Sequence, residues 1–418
     1  MLDFADFELL AVELLLVAAV VAIAARYLRL PYTVALVVAG FILSFGRFFE
    51  VSLSRELILL VFLPPLLFEA AVNMDLEELR RRAAQVGLLA IAGTIITAAT
   101  VALALVAFTS LRAKYAVLLA VMLSPTDPVS VLATMKEHGV AGGLRTLLEG
   151  ESIFNDALGI VLFTIALAVA FPERAGDTMG WWDATTEFAA EVGIGVAVGA
   201  AGGLLIHHLM RLLDDHLVEI TLSVALAFGS FLVADRTGGS GVMAVVASGL
   251  LIGNYGTFRA MSASSRKVMV EFWDVITFLI NSALFLLIGL EFRAERFGER
   301  ETILAALVAS LALFAGRAAS VYGVLLPFRR RAGRRGIPGG WVHAVYWGGL
   351  RGSIPIALVL GLTAAQRDLD GADAVAVVFG AVFVSLLLQG LTFAPLLTRL
   401  RLSKQGGNRG RRSARSEA

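Results

Sequence analysis

Four polar side chains stand close together after Glu149 in an otherwise apolar stretch of the chain, EGESIFNDALGIVLF. They are Glu151, Ser152, Asn155 and Asp156. Residues four apart are neighbours on a helix, so Ser152 lies beside Asp156 and Glu151 lies beside Asn155. The stretch therefore predicts a helix with two adjacent polar rows, whose oxygens suit a hard cation or a proton.

A second polar group stands earlier in the chain, in SPTDPVSVL (124–132). Pro128 has no N–H to donate, so a helix running through it is interrupted and leaves backbone carbonyls free. Together the two stretches predict an oxygen site made by a freed carbonyl and five side chains: Asp127, Glu151, Asp156, Thr126 and Ser152. The chain has no cysteine and no histidine close to these polar rows. A soft metal is therefore disfavoured, and we expect no cofactor.

The composition of the chain indicates which solvent surrounds this site. Of 418 residues, 58% are hydrophobic and 17% are charged, whereas soluble domains are nearer half apolar and a quarter charged. Apolar runs of about 20 residues, long enough to cross a bilayer, recur along the whole chain. We predict an all-α polytopic membrane protein without a cleaved signal peptide. The net charge of +1 and the short basic run at 329–335 do not indicate a nucleic-acid partner.

About thirteen apolar segments are predicted to cross the membrane. An outer N-terminus and alternating spans place most of the Lys and Arg residues on the inner side, as the positive-inside rule requires. We therefore expect a protein of the cell's inner or plasma membrane with its N-terminus outside and its C-terminus in the cytoplasm. The segments lie near 8–28, 32–47, 54–74, 83–108, 114–136, 145–171, 187–213, 216–235, 240–255, 265–292, 302–328, 339–364 and 373–398.

Two of these segments, the fifth and the twelfth, are interrupted. The fifth contains SPTDPVSVL, and the twelfth contains GGLRGSIPIAL (348–358), which also has an internal proline. The two breaks match if segments 1–6 and 8–13 are inverted repeats, and paired broken helices mark an ion site at the membrane midplane. We predict a transmembrane unit over 1–400 and a short basic cytoplasmic tail over 401–418. Repeat one covers about 8–171, the linker helix about 187–213 and repeat two about 216–398.

Ionisable residues inside apolar spans mark either an ion pathway or buried ion pairs between helices. The sequence alone leaves both interpretations open for each residue, and it does not name the partner of Arg317. Asp274 and Asn281, seven residues apart on one helical face, can line an ion path or make interhelical hydrogen bonds. The six ionisable residues near the breaks are Glu69, Asp127, Glu151, Asp156, Arg317 and Arg351.

Burial disfavours the charged form of a carboxylate, so a buried carboxylate can hold a proton near neutral pH. Proton and cation then compete for the same oxygens, and a site that faces one side at a time performs antiport. Two other classes remain. The same core can act as an uncoupled cation channel, or the aspartates can form the dyad of an intramembrane aspartyl protease. The protease interpretation leaves Glu69, Arg351 and the matched breaks unexplained.

Four motifs in order resemble the sodium/proton exchanger family, in its NhaP-type branch: PPLLFEAAVNMDL (64–76), SPTDPVSVL, GESIFNDALGIVLF (150–163) and YWGGLRGSIPIAL (346–358). The resemblance covers nearly the whole chain. It implies a homodimer of thirteen-helix subunits, each with a six-helix core that contains two crossed broken helices. It also implies exchange of a monovalent cation, Na+ first and K+ as the alternative, for H+ by alternating access. Such a transporter serves pH homeostasis and is not an enzyme.

The resemblance also implies roles for individual residues. Asp156 would be the main ion- and proton-binding acid, with Asp127 beside it and the other ligands completing the coordination: Thr126, Glu151 and Ser152. Asn155 would replace a second acid of the electrogenic branch, which implies electroneutral exchange of one cation for one proton. Glu69 and Arg351 would form a structural pair that holds Asn155, and Arg317 would support the site.

Overall fold

The structure, a computed structural model, describes residues 4–28, 30–45, 53–140, 142–172, 181–212, 215–254, 263–292, 294–329 and 336–402. Most of the predicted tail therefore lies outside the described residues. The helices are α1 (Phe4–Leu28), α2 (Tyr32–Ser44), α3 (Leu63–Asn73), α4 (Leu76–Leu88), α5 (Thr94–Phe108), α6 (Ala113–Leu123), α7 (Val129–His138), α8 (Gly142–Ala170), α9 (Trp181–Met210), α10 (His216–Arg236), α11 (Gly241–Asn254), α12 (Ala263–Glu291), α13 (Arg300–Arg329), α14 (Gly339–Trp347), α15 (Ser353–Leu360), α16 (Ala364–Arg367) and α17 (Ala374–Arg399).

Short irregular elements join or extend these helices. A π-helical turn, Leu57–Phe62, leads into α3, and a second one, Leu89–Gly93, joins α4 to α5. A 3₁₀ turn spans Ala294–Phe297. The strands β1 (Asp368–Leu369) and β2 (Ala372–Asp373) form a small antiparallel hairpin. Its two turn residues both have positive φ, as a tight hairpin turn requires.

Several helices are long and apolar enough to cross a membrane individually. In the described part of the chain these are Leu76–Phe108, Gly142–Ala170, Thr186–Met210, His216–Arg236, Ser265–Glu291, Arg300–Arg329 and Ala374–Arg399. Leucine, alanine and valine dominate them, and all three residues suit a lipid-facing helix, in which every backbone group is bonded within the helix. The predicted all-α polytopic membrane protein is confirmed. Other apolar helices are shorter, so thirteen crossings stay a prediction.

Both predicted helix breaks are present. The chain leaves helical geometry between α6 and α7, at 124–128, and again between α14 and α15, at 348–352. Pro128 is the N-cap of α7, as expected. Pro355, in contrast, does not cause the second break. It lies in the first turn of α15, where a helix needs no N–H donor, and the glycine-rich GGLRG stretch forms the break instead.

The two breaks contact each other. The N–H of Asp127 donates to the carbonyl of Leu350 at 2.8 Å. The guanidinium of Arg351 donates to the carbonyls of Ser124 at 2.7 Å and Pro125 at 3.1 Å. Each break therefore supplies hydrogen-bond partners for backbone groups that the other break leaves without helical partners. This mutual bonding fixes the position of the residues that border the breaks.

Glycines bring the helices beside this core into backbone contact. Gly40 of α2 and Gly289 of α12 face each other, and a Cβ built on Gly289 would overlap the carbonyl oxygen of Val37. Likewise, a Cβ on Gly253 of α11 would overlap the carbonyl oxygen of Val72 on α3. Small residues permit such close crossings between membrane helices. The α2–α12 and α3–α11 pairs therefore tolerate no side chain at these positions.

We expect Gly289→Val to destabilise the protein by about 1–3 kcal/mol, because the added methyl groups push two backbones apart. Thermal unfolding in detergent measures the loss. Gly323→Ala is the matched control, since nothing lies within 4 Å of a Cβ at that helical glycine. An unchanged melting temperature for Gly289→Val would contradict the packing described.

Candidate functional site

The polar rows of α8 face the protein interior. Glu151, Ser152, Asn155 and Asp156 are between 1% and 7% exposed. Burial of four polar side chains on one apolar helix requires partners or a ligand for each of them. What these four side chains contact decides which of them can take part in binding.

Asn155 and Ser152 hold the first break in place. The Asn155 Nδ2 donates to the Thr126 hydroxyl at 2.8 Å, and its Oδ1 accepts the Thr126 N–H at 3.3 Å. The Ser152 hydroxyl donates to the Thr126 carbonyl, one of the groups that the break leaves without a helical partner. Thr126 is therefore fixed against α8 by three hydrogen bonds. Thr126 and Ser152, predicted to belong to one site, are in contact, whereas the bonds between Asn155 and Thr126 were not predicted.

Asp127 lies where the N-termini of two helices converge. Its Oδ1 accepts the N–H of Val129, the first residue of α7, at 2.9 Å. Its carboxylate also accepts the backbone N–H of Ser353, the first residue of α15. Helix N-termini carry partial positive charge, so both favour a negative charge at this position. A side chain at Gly352 would overlap the carboxyl group, so that residue must be glycine here.

Asp156 is buried without a partner for one of its oxygens. Its Oδ1 makes no hydrogen bond within the described part of the structure, and the residue is 7% exposed. It borders a cavity of about 1010 Å3 that also reaches Asp127, Ser152 and Thr126. A carboxylate in this position can accept a proton or a cation from the cavity.

Glu151 differs from its predicted role as a cation ligand. Both of its carboxylate oxygens accept hydrogen bonds from Arg317, the second at 2.9 Å. The Arg317 Nη2 also donates to the carbonyl of Val345 at 2.9 Å. Both charged residues are at most 4% exposed. Glu151 therefore neutralises Arg317 in a buried ion pair, and Arg317 has the partner that the sequence left open.

The predicted pair of Glu69 and Arg351 is wrong. Arg351 is only 2% exposed and donates to the carbonyls of the first break, which have no helical donors. Glu69 is half-buried on α3, where its Oε1 accepts from Asn73 at 2.8 Å. The predicted support of Asn155 comes from Thr126 instead. Glu69 borders the cavity, so its neighbours are the cavity groups and not the break.

Two charged pairs border the cavity, and of their four residues only Asp274 was considered for the ion path from the sequence. Arg145 bonds Glu149 at 2.6 Å on α8, and Lys136 of α7 bonds Asp274 of α12 at 3.2 Å. All four residues line the cavity. Glu149 is seven residues before Asp156, hence on the same helical face. This seven-residue spacing could have identified Glu149 from the sequence.

The side chains at the centre of the site offer oxygen donors. Within the described ranges, no group of three or more His, Cys, Asp or Glu side chains is placed to hold a metal ion. What borders the cavity near the breaks is two carboxylates, Asp127 and Asp156, with hydroxyl oxygens of Ser152 and Thr126. Oxygen donors of this kind suit hard cations.

We expect Glu151→Gln and Arg317→Met each to cost about 3–5 kcal/mol, because each leaves a buried charge without its partner. The double variant should recover most of that loss, since it removes both charges. Thermal unfolding of the three variants measures the effect. Arg112→Ala is the control because Arg112 is 62% exposed where it bonds Asp370, and its loss should change little. Additive losses in the double variant would contradict the ion pair.

Comparison with known proteins agrees with this geometry. A family model described as sodium/hydrogen exchanger, transmembrane, matches residues 14–399. A Na+/H+ antiporter of Aphanothece halophytica is 37% identical over 94% of this chain and 74% of that protein. The Na+/H+ antiporter NhaP of Pseudomonas aeruginosa is 33% identical over 90% of this chain and 92% of its own length.

The fold also matches a solved structure. A sodium/proton antiporter of Methanocaldococcus jannaschii superimposes with a TM-score of 0.74 and covers 93% of this chain and 97% of that one. At 21% identity, this likeness concerns the fold alone. The matched family consists of transporters, which excludes the protease alternative. This chain belongs to the sodium/hydrogen exchanger family of integral membrane proteins.

Proposed function

We propose that this protein is a secondary active transporter that exchanges a monovalent cation, Na+, for H+ across the membrane. The observation that carries the proposal is Asp156, a buried carboxylate with one oxygen unpartnered among the described residues, which borders the same cavity as Asp127 of the first break and Ser353 at the start of α15. A buried carboxylate is neutralised by a proton or by a cation. The Na+/H+ antiporters among the relatives support Na+ as the cation.

Four residues supply the proposed cation ligands. Asp156 and Asp127 give carboxylate oxygens, and Ser152 and Thr126 give hydroxyl or carbonyl oxygens that keep unused lone pairs. Glu151 leaves the predicted ligand set, because its oxygens are taken by Arg317. When the cation leaves, a proton takes its place on Asp156. One site then serves both ions in turn, which couples their movements.

The charges around this carboxylate support electroneutral exchange. Asn155 is neutral and hydrogen-bonded to Thr126, and the charge of Glu151 is compensated by Arg317. The loaded site therefore carries the same charge with Na+ as with H+. We propose a ratio of one cation to one proton, by alternating access.

The basic residues that border the cavity support the proposed orientation. Arg26, Lys136 and Arg145 line it, and the positive-inside rule places all three at the cytoplasmic side. We propose that the cavity opens to the cytoplasm, with the N-terminus outside and the C-terminus inside a plasma or inner membrane. The homodimer implied by the family resemblance is part of the same proposal.

The helix packing supports the proposed inverted repeats. If repeat one (about 8–171) and repeat two (about 216–398) correspond, α1, α2 and α3 match α10, α11 and α12. The contact between α2 and α12 then corresponds to the contact between α11 and α3. Likewise, the contact between α1 and α12 corresponds to that between α10 and α3, and all four contacts are present. Helix α9 stands between the repeats as the linker. We propose that each repeat contributes one of the two broken helices, and that these helices cross at the site.

Two alternatives keep the same core. A K+/H+ antiporter would use the same ligands with slightly different spacing, and an uncoupled channel would pass cations without moving protons. Both are distinguished from Na+/H+ exchange by one assay, in which liposomes carry the purified protein and a dye reports internal pH. Sodium, potassium and lithium are added in turn.

We expect Asp156→Asn to abolish cation-driven pH change in these liposomes, because an amide neither takes up and releases a proton nor carries the negative charge that a bound cation neutralises. The variant should stay folded, as judged by its melting temperature. Asp235→Asn, at an exposed position on α10, is the control and should transport like the parent. Exchange retained by Asp156→Asn would refute the assignment of Asp156.

We expect the Na+ concentration for half-maximal exchange to rise as the pH falls, because protons compete for the Asp156 carboxylate. The maximal rate at saturating Na+ should stay the same over that range. With the voltage clamped by K+ and valinomycin, the rate should not depend on the membrane potential. A half-saturation concentration that is constant with pH would rule out a shared site, and a voltage-dependent rate would rule out the one-to-one ratio.

A further inference from the structure

One face of α12 carries three polar residues that the proposed ion site does not use. Asp274, Thr277 and Asn281 are spaced by three and four residues, so they lie along the same side of the helix. All three line the cavity that Asp156 borders. This wall of the cavity belongs to a different helix from those that carry the proposed ligands.

Two of these residues present buried oxygens without partners. The Oδ1 of Asn281 and the Oγ1 of Thr277 make no hydrogen bond in the part of the chain that the structure describes, and Asn281 is only 9% exposed. Buried polar atoms are nearly always bonded, because leaving them unpaired is costly. The Oδ1 of Asp156, in the same cavity, has the same property. Three such oxygens, on three residues that line one cavity, are candidates to bond an ion that passes through it.

Packing of α12 does not account for these oxygens, because other polar side chains hold the helix. Ser282 donates to the Phe278 carbonyl and shares a hydrogen bond of 2.7 Å with the Tyr32 hydroxyl of α2. Trp273 donates from Nε1 to the Ser223 hydroxyl of α10 at 3.1 Å. These two packing contacts of α12 are therefore satisfied, while Thr277 and Asn281 each keep an oxygen without a partner in the described part of the chain.

We propose that Thr277 and Asn281 form a second cation-contacting station on the cavity wall, which receives the monovalent cation on its way to or from Asp156. The inference rests on the exchange function proposed above and adds residues that determine its affinity. Side-chain amide and hydroxyl oxygens are suitable ligands for a hard cation. Since they are neutral, they hold it weakly enough for it to move on.

Asp274 marks the end of this polar face. Its carboxylate bonds the ammonium of Lys136 at 3.2 Å, so its charge is compensated by a residue of α7. The cation therefore meets a partly neutralised carboxylate first and the two neutral oxygens next. The cation is therefore not bound tightly before it reaches the site at Asp156.

The test measures Na+-driven pH change in liposomes for Thr277→Val and Asn281→Ala. Each variant should raise the Na+ concentration for half-maximal exchange about three- to tenfold, the size expected from one lost polar contact. The maximal rate should stay within twofold of the parent. Thr277→Ser, which keeps the hydroxyl, should restore the half-saturation concentration of the parent.

Ser282→Ala is the matched control on the neighbouring position of α12. It removes a packing hydrogen bond and should lower the melting temperature without changing the half-saturation concentration. Unchanged half-saturation in both Thr277→Val and Asn281→Ala, with exchange by the parent intact, would overturn this inference alone. An equal shift in Ser282→Ala would overturn it too, because the effect would then come from packing. Absence of any cation-driven pH change with the parent protein would overturn the exchange function and this inference together.

Discussion

A break in a buried helix leaves backbone donors and acceptors without partners where no water can replace them. This protein has two such breaks and bonds them to each other. The Asp127 N–H meets the Leu350 carbonyl, and Arg351 takes the carbonyls of Ser124 and Pro125. Every other feature of the site follows from this arrangement, because it fixes two helix N-termini and one face of α8 around the same point.

The buried charged residues differ in what each of them contacts. Arg351 satisfies carbonyls, and Arg317 and Glu151 neutralise each other. Asp127 occupies the convergence of two helix ends. Among these five residues, Asp156 alone keeps a buried oxygen without a hydrogen bond in the described part of the structure. It is therefore the acid that we propose for ion binding.

The sequence predicted what is local and missed what depends on distant neighbours. Internal prolines marked both interrupted segments, although Pro355 does not cause the second break. Helix periodicity identified the polar face of α8, because it determines which residues share a side. The sequence also gave Asp127, Ser152, Thr126 and Asp156 as one group. The partner of Glu151 stands 166 positions away in Arg317, and no periodicity reveals such a contact. The pair of Glu69 and Arg351 was wrong for the same reason, since Arg351 bonds carbonyls that carry no sequence signal.

The convergence of α7 and α15 on Asp127 has a consequence for the valence of the ion that the site accepts. Each helix end contributes roughly half a positive unit, so the two together offset about one of the two carboxylate charges. What remains is close to a single negative unit, spread over Asp127 and Asp156. A divalent ion placed there would carry an uncompensated positive charge into a region of low dielectric, at a high energetic cost. The two helix ends thus favour a monovalent over a divalent cation at the proposed site.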